Sequence, residues 1–464
     1  MNTQDTICAI ATAQGGAIGV IRISGKDAIA ITDRIFTPVG KHPLPLSERK
    51  AYTMAFGHIR QDDGEIIDEV LIGLFKSPHS YTGEDCVEIS CHGSSFILQQ
   101  VMQLLIRKGC RAAGPGEFTQ RAFLNGKMDL SQAEAVADLI ASSSAATHRM
   151  AMNQMRGGFS RELSALRERL LHLTSLMELE LDFSDHEELE FADRSELETI
   201  AGDIEKVISG LVHSFSVGNV LKNGIPVAIV GETNAGKSTL LNTLLNEEKA
   251  IVSDIHGTTR DVIEDTVNLS GITFRFIDTA GIRDTHDTIE NMGIARSFHK
   301  MEQAEIVLWV IDNTCAEAQI RQLSPRILPL CSNKQLIILL NKSDQVSAVP
   351  TKLSGLPENT VTLSISAKEK TGIQELQHLL VKTASVPELT SSDLIVTNVR
   401  HYEALSLALE DIHRVQNGLQ THLSGDFISQ DLRECLFHLA EIVGGEITAD
   451  EVLGNIFMKF CIGK

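Results

Sequence analysis

The run Gly231-Glu232-Thr233-Asn234-Ala235-Gly236-Lys237-Ser238 has the spacing G-x-x-x-x-G-K-S. Those types at that spacing suit one chemistry, the holding of a polyphosphate. Glycines let the backbone wrap an anion with inward N–H groups, Lys237 reaches the β- and γ-phosphates, and the Ser238 hydroxyl ligates Mg²⁺. The run follows Pro226 to Val230, which reads as a strand, and opens a helix over Ser238 to Leu245 that includes Thr239. A merely structural Gly-rich turn does not account for both flanks.

Asn341-Lys342-Ser343-Asp344 ends another strand, Leu336 to Leu340, where open α/β sheets bind ligands. The Asp344 carboxylate can accept from guanine N1–H and the 2-amino group, an arrangement that adenine does not offer, so the pair of motifs selects GTP over ATP. Ser366-Ala367-Lys368 follows the next strand and offers a backbone donor to the guanine oxygen. Asp278-Thr279-Ala280-Gly281 and Gly257-Thr258-Thr259-Arg260-Asp261 stand where γ-phosphate-sensing switches belong, the second giving a Thr259 hydroxyl to Mg²⁺. Ile282 occupies the position where Ras-like switches carry a water-positioning Gln, so hydrolysis is organised otherwise. Asn234 offers an amide oxygen to a monovalent cation, or is an ordinary loop residue.

The chain ends Phe-Met-Lys-Phe-Cys-Ile-Gly-Lys. Cys461 is fourth from the end, but Gly463 is not aliphatic and Lys464 is not a usual prenylation terminus. Two readings of the thiol stay open, a chemically used group on a tail or an inert apolar cysteine.

These groups need elements to position them. With 464 residues and 43% hydrophobic content the chain exceeds one ordinary core. Residues 1–125 mix short β-like runs (Ala17 to Ile23, Val70 to Phe75) with one helix, Ser95 to Lys108, an α+β domain. Residues 126–222 turn helical, with Leu163, Leu166, Leu170, Leu173 and Met177 at three- and four-residue steps. Residues 223–385 alternate strands and helices, a doubly wound α/β domain, and 386–464 return to helical periodicity, clearest over Ser429 to Val443. The simplest architecture inserts the α/β domain into a helical domain made from both flanks. The eight cysteines show no metal or disulfide spacing, and Cys86, Cys91 and His92 lack a fourth ligand. No run suits a bilayer or a secretory leader, so the expected place is cytoplasmic. A net charge of −20 repels phosphodiester backbones, so an RNA substrate needs a basic partner to hold it.

Taken together, G-E-T-N-A-G-K-S, G-T-T-R-D, D-T-A-G-I-R, N-K-S-D and C-I-G-K resemble the MnmE (TrmE) family of tRNA-modification GTPases. The likeness extends over the chain, including Ser80 to Asp85 (S-Y-T-G-E-D) and Gly114 to Asn125 (G-P-G-E-F-T-Q-R-A-F-L-N). It implies an N-terminal folate-binding domain that dimerises, a discontinuous helical domain and an inserted Ras-like G domain. It implies K⁺ held by Asn234 with main-chain oxygens around Ser253, Ile255 and Thr258, and Glu290 as the residue that positions the attacking water. It also extends the GTP contacts over Ser253, Asp254, Ile255, His256 and Gly257. Glu88, Arg22, Lys127 and Lys464 are implied to lie near a 5-formyl- or 5,10-methylene-tetrahydrofolate. The tail is implied to reach that pocket, which favours a functional Cys461. The implied partner is the flavoprotein MnmG (GidA), which carries FAD and NADH, holds most of the tRNA and helps build an aminomethyl-type group on carbon 5 of the wobble uridine. Two other functions compete: a regulatory GTPase that controls assembly or ribosomal RNA maturation, and a folate enzyme that uses GTP only for timing.

Overall fold

A computed structural model of the chain describes residues 5–13, 15–40, 43–182, 194–248, 265–277, 301–346, 356–357, 360–384 and 394–445, with positions 457, 460 and 463. The chain divides into two compact units, one of residues 1–141, 151–210 and 399–464, the other of residues 142–150 and 211–398.

The first unit carries a seven-stranded sheet built from β1 (Ile7–Ile10), β2 (Ile18–Ser24), β3 (Phe36–Pro38), β4 (Thr53–Arg60), β5 (Ile66–Phe75), β6 (Cys86–His92) and β7 (Arg111–Ala112), in the order β3-β4-β5-β6-β2-β1-β7. All neighbours are antiparallel except β1 and β7. In β5 the alternate residues Asp68, Val70, Ile72 and Leu74 are buried, the period of two expected of a sheet with one covered face. α1 (Ala28–Asp33) and α2 (Ser95–Arg107) cover that face, α2 through Leu98, Val101, Leu104 and Leu105 at helical spacing. Gly109 at φ 114° ends α2, its successor Cys110 donating back to the Leu105 carbonyl.

The helices α3 (Glu117–Leu124), α4 (Leu130–Ala141), α5 (Ala145–Met155) and α6 (Gly158–Asp182) follow, and α7 (Arg194–Asn223) runs on into the second unit's residues. After the second unit come α11 (Val399–Gln420) and α12 (Gly425–Val443), counting α8 to α10 there. The chain's two flanks meet within the first unit. α12 packs on α6, where Arg433 Nη2 donates to Glu178 Oε1 at 2.7 Å, and α11 joins α4 through Arg400 and Glu134. The Glu134 carboxylate takes both Arg400 (Nε 3.0 Å, Nη2 2.9 Å) and the ring of His401 at 2.6 Å, while Arg400 also donates to the Glu441 and Ile442 carbonyls at the end of α12. Burial disfavours the Glu134 charge, but hydrogen bonds and charge from His401 and Arg400 outweigh it and hold the group down at about 2.

The second unit contains β8 (Ile225–Val230), α8 (Lys237–Glu248), β9 (Asp265–Leu269), β10 (Ile272–Phe276), β11 (Ile306–Asp312), α9 (Ala316–Ile327), β12 (Gln335–Asn341), β13 (Val361–Ser364) and α10 (Ile373–Thr383). Its six strands run β13-β12-β11-β8-β10-β9, parallel except for β9. β11 is buried from Ile306 to Ile311, as a strand covered on both faces must be. The doubly wound fold read from the sequence is therefore present, with one addition: β9 is an antiparallel edge strand. Strand order reverses beside β8, which puts the phosphate loop at the switch point of the sheet.

Candidate functional site

Between β8 and α8 the loop bends through Gly231 (φ 150°), Asn234 (φ 63°) and Gly236 (φ 99°). Both glycines are required by close approach as well as by their backbone. A Cβ on Gly231 would lie 2.1 Å from the Val310 carbonyl, and one on Gly236 would lie 2.1 Å from Asn341 Nδ2. The N-terminus of α8, beginning at Lys237, turns the positive end of its dipole towards the loop. Lys237 Nζ donates to the carbonyls of Gly231 (2.9 Å) and Glu232 (2.7 Å). Asn234 is exposed in the left-handed region, which Asn tolerates. Ser238 and Thr239 occupy the first turn of α8 and are exposed.

The guanine motif is tied to this loop. Asn341 is buried, donates Nδ2 to the Ala235 carbonyl at 2.8 Å and accepts at Oδ1 from Ala367 N at 3.0 Å. The Ala367 carbonyl in turn accepts from Thr243 of α8 at 3.0 Å. The amide of Ala367 is thus engaged by Asn341. Lys342 stands at φ 65° with Nζ 2.5 Å from Asp312 Oδ2. Burial works against the Asp312 charge, but Lys342 and the Thr314 hydroxyl and amide hold it below the usual carboxylate range. Asp344 is exposed and accepts from Ser366 Oγ at 2.7 Å, which aims its carboxylate from the rim of the sheet. The Lys368 side chain is exposed at the same rim. Ser253 to Thr259, Asp278 to Gly281 and Glu290 lie outside the described residues.

The first unit has its own polar cluster. Arg22 and Glu88 are cross-strand partners on β2 and β6, with Arg22 Nε and Nη2 at 2.9 and 2.8 Å from Glu88 Oε1. The Arg22 guanidinium lies over the rings of Tyr81 (5.4 Å) and Phe118 (5.8 Å), and Nη1 donates to the Gly463 carbonyl at 3.4 Å. Gly463 (φ 97°) is in close contact with β1, where a Cβ would come within 2.5 Å of the Ile10 carbonyl. Phe457 and Phe460 pack with Phe123, Met128, Leu130 and Ala133. Lys127 Nζ donates to the Pro78 carbonyl at 3.0 Å, and its stem lies against Gly83. Cys461 and Lys464 lie outside the described residues.

Two contributors escaped sequence reasoning. Tyr81 and Phe118, the aromatic floor under Arg22, sit inside motifs quoted above only for their likeness. A buried network joins those same motifs: Arg121 takes Glu84, Glu117 and Asp5, while Ser24 Oγ lies 2.6 Å from Thr82 Oγ1 and 2.7 Å from Glu84 Oε2. Cys86 and Cys91 face the core, where burial pushes their thiols up to about 12 and about 11, and His92 Nδ1 is 2.7 Å from the buried Asp68. Among the described residues no group of three or more His, Cys, Asp or Glu side chains could hold a metal ion, and no helix is long and apolar enough to cross a membrane.

A phosphate loop at the switch point of a doubly wound sheet, with its guanine motif clamped to it, defines a P-loop GTPase that takes GTP and Mg²⁺. Residues 130–461 match the model of the MnmE helical domain, and residues 6–127 match that of the GTP-binding protein TrmE N-terminus. The chain is 66% identical over 467 residues to the tRNA modification GTPase MnmE of Bacteroides thetaiotaomicron, covering 99% of this chain and 100% of that one. The MnmE of Phocaeicola vulgatus is 63% identical over 501 residues, and that of Flavobacterium johnsoniae 52% over 473, each with both chains covered in full. The solved FeoB G-domain of Methanococcus jannaschii matches 34% of this chain and 97% of its own at 26% identity, with a TM-score of 0.25. The chain belongs to the MnmE (TrmE) family of tRNA modification GTPases.

Proposed function

We propose that this chain is a potassium-stimulated GTPase that works with an MnmG (GidA)-type flavoprotein. Together they add an aminomethyl or carboxymethylaminomethyl group, in a folate-dependent reaction, to carbon 5 of the tRNA wobble uridine. The observation that carries the folate part is the seat of the C-terminal tail. Gly463 is held by Arg22 beside Glu88, in the same chain as a GTP site. A GTPase that only regulated assembly has no need of such a seat. Glu88 would meet the donor edge of a pterin, and Arg22, Lys127 and Lys464 the carboxylates of the folate. Because Arg22 already pairs with Glu88, a bound pterin shares that carboxylate with it. Cys461, between Phe460 and Gly463 in sequence, would then stand beside the one-carbon unit of a 5-formyl- or 5,10-methylene-tetrahydrofolate.

In the G domain Lys237 and the loop amides hold the phosphates, and Ser238 and Thr259 the Mg²⁺. K⁺ would sit on Asn234 and on main-chain oxygens of Ser253, Ile255 and Thr258, and Glu290 would orient the attacking water. A homodimer is supported by the outward face of the first sheet, where Met54, Phe56 and Leu71 are exposed. The net charge of −20 supports tRNA being held mainly by the partner, which would bring FAD and NADH. The setting is cytoplasmic.

The test is mass spectrometry of tRNA nucleosides from a strain lacking this gene, complemented with the wild type or Cys461→Ser. Wild type should restore the wobble-uridine modification, and Cys461→Ser should not while keeping K⁺-stimulated GTP hydrolysis. No restoration by the wild type ends the tRNA assignment, and full restoration by Cys461→Ser removes the thiol from the reaction.

A further inference from the structure

An anion-binding loop with a carboxylate in it poses a problem. Glu232 is the one acidic residue of the loop from Gly231 to Ser238, and its carbonyl is 2.7 Å from the ammonium of Lys237, the group that meets phosphate. A carboxylate free to swing there would oppose a triphosphate by like-charge repulsion in a partly desolvated site. The structure gives that carboxylate a fixed partner. Gln319 of α9, which is buried, donates Nε2 to Glu232 Oε2 at 2.9 Å. The other end of the same amide is also committed, because Gln319 Oε1 accepts from Asp312 N at 3.0 Å, and Nε2 further lies 3.3 Å from Cys315 Sγ. The amide therefore cannot rotate without losing a bond at each end, and Glu232 is tethered to the helix.

We propose that Gln319 is a positioning residue of the nucleotide site, whose amide tethers the Glu232 carboxylate to α9 so that the loop offers the nucleotide its amides and Lys237 without a competing negative charge. The same side chain braces the guanine half, because the Asp312 whose amide it accepts also anchors Lys342. The proposal rests on GTP binding alone and holds whatever reaction the GTPase serves.

The readout is the affinity of the full-length chain for fluorescent methylanthraniloyl-GDP and for the corresponding non-hydrolysable GTP analogue, with Mg²⁺. Gln319→Glu keeps the size and the acceptor for Asp312 N but sets a second carboxylate against Glu232. It should weaken the GTP analogue about tenfold and GDP less, with the loss shrinking as salt is raised. Adding Glu232→Gln, whose amide can donate back, should return the affinity to within about twofold of Glu232→Gln alone. Gln319→Leu keeps the volume, removes the amide, and should show the same rescue even if Gln319→Glu folds poorly. A residue that merely packs would lose equal affinity in both backgrounds, and that result, or no loss at all, overturns the proposal. If the wild type itself binds neither nucleotide, the GTPase reading fails and the role of Gln319 falls with it, an outcome distinct from a failed rescue in a chain that binds.

Discussion

Asn341 holds the phosphate loop through Ala235, its Nδ2 donating to that carbonyl at 2.8 Å. The residue that opens the guanine motif thereby acts on the phosphate side of the site. Replacing it with Ala leaves a buried carbonyl at Ala235 and a buried N–H at Ala367 unmatched, each costing about 1–3 kcal/mol. Asn341→Ala should therefore weaken GTP and GDP alike, by at least about tenfold, with their ratio unchanged. Equilibrium titration with both nucleotides checks this, and a loss confined to one of them would contradict it.

Asp344 is exposed at the rim and steered by Ser366. Its carboxylate accepts two donors of guanine, so Asp344→Asn should lower GTP affinity by on the order of a hundredfold. The new amide can donate to the second carbonyl of xanthine. Binding of xanthosine triphosphate should rise as GTP binding falls, which competition titration would read directly.

Glu134 gives the first unit a specific acid sensitivity. Its folded value of about 2 lies below its ordinary 4.5, so its contribution is fully present above pH 4.5 and is lost as pH falls through about 2. The difference corresponds to about 3 kcal/mol. Glu134→Gln should lower stability at pH 7 by a similar amount, because Arg400 loses its buried partner. The gap between wild type and variant should close between pH 4.5 and 2. Denaturant unfolding across that range measures it, and a gap independent of pH would rule this account out.

Gly463 tests the tail's seat. A methyl group there would meet the Ile10 carbonyl at 2.5 Å, on a backbone at φ 97° that side chains seldom adopt. Gly463→Ala should displace the tail at a cost of about 1–2 kcal/mol or more. GTP hydrolysis should be unchanged while wobble-uridine modification falls severalfold. Phosphate release and nucleoside mass spectrometry on the same preparation would show whether the two separate.

Much of this was legible in the sequence because its signals are local. The phosphate loop is a contiguous run whose glycines must exist for steric reasons, and β11 is a continuous apolar run that only a strand covered on both faces explains. β9 was not legible: Asp-Thr-Val-Asn-Leu is short and half polar, and only its antiparallel pairing with β10 makes it a strand. Neither was the tie between Arg121 and Glu84, which are far apart in the chain and meet only in the folded core. Arg22 and Glu88 read singly as surface charges, because the register that sets them opposite one another belongs to the sheet and not to either strand.

The second unit also shows how the chain enters and leaves it. Ser214 Oγ accepts from Val396 N at 3.0 Å, and a Cβ on Gly218 would lie 2.1 Å from the Val396 carbonyl. The run between these positions is thus a detour that returns to its own doorstep. To the flanking sequence such an excursion has almost no span, so its length adds only a slowly growing closure entropy. One GTPase cassette could be exchanged for another here by matching two adjacent ends, with the flanking chain needing no change in reach.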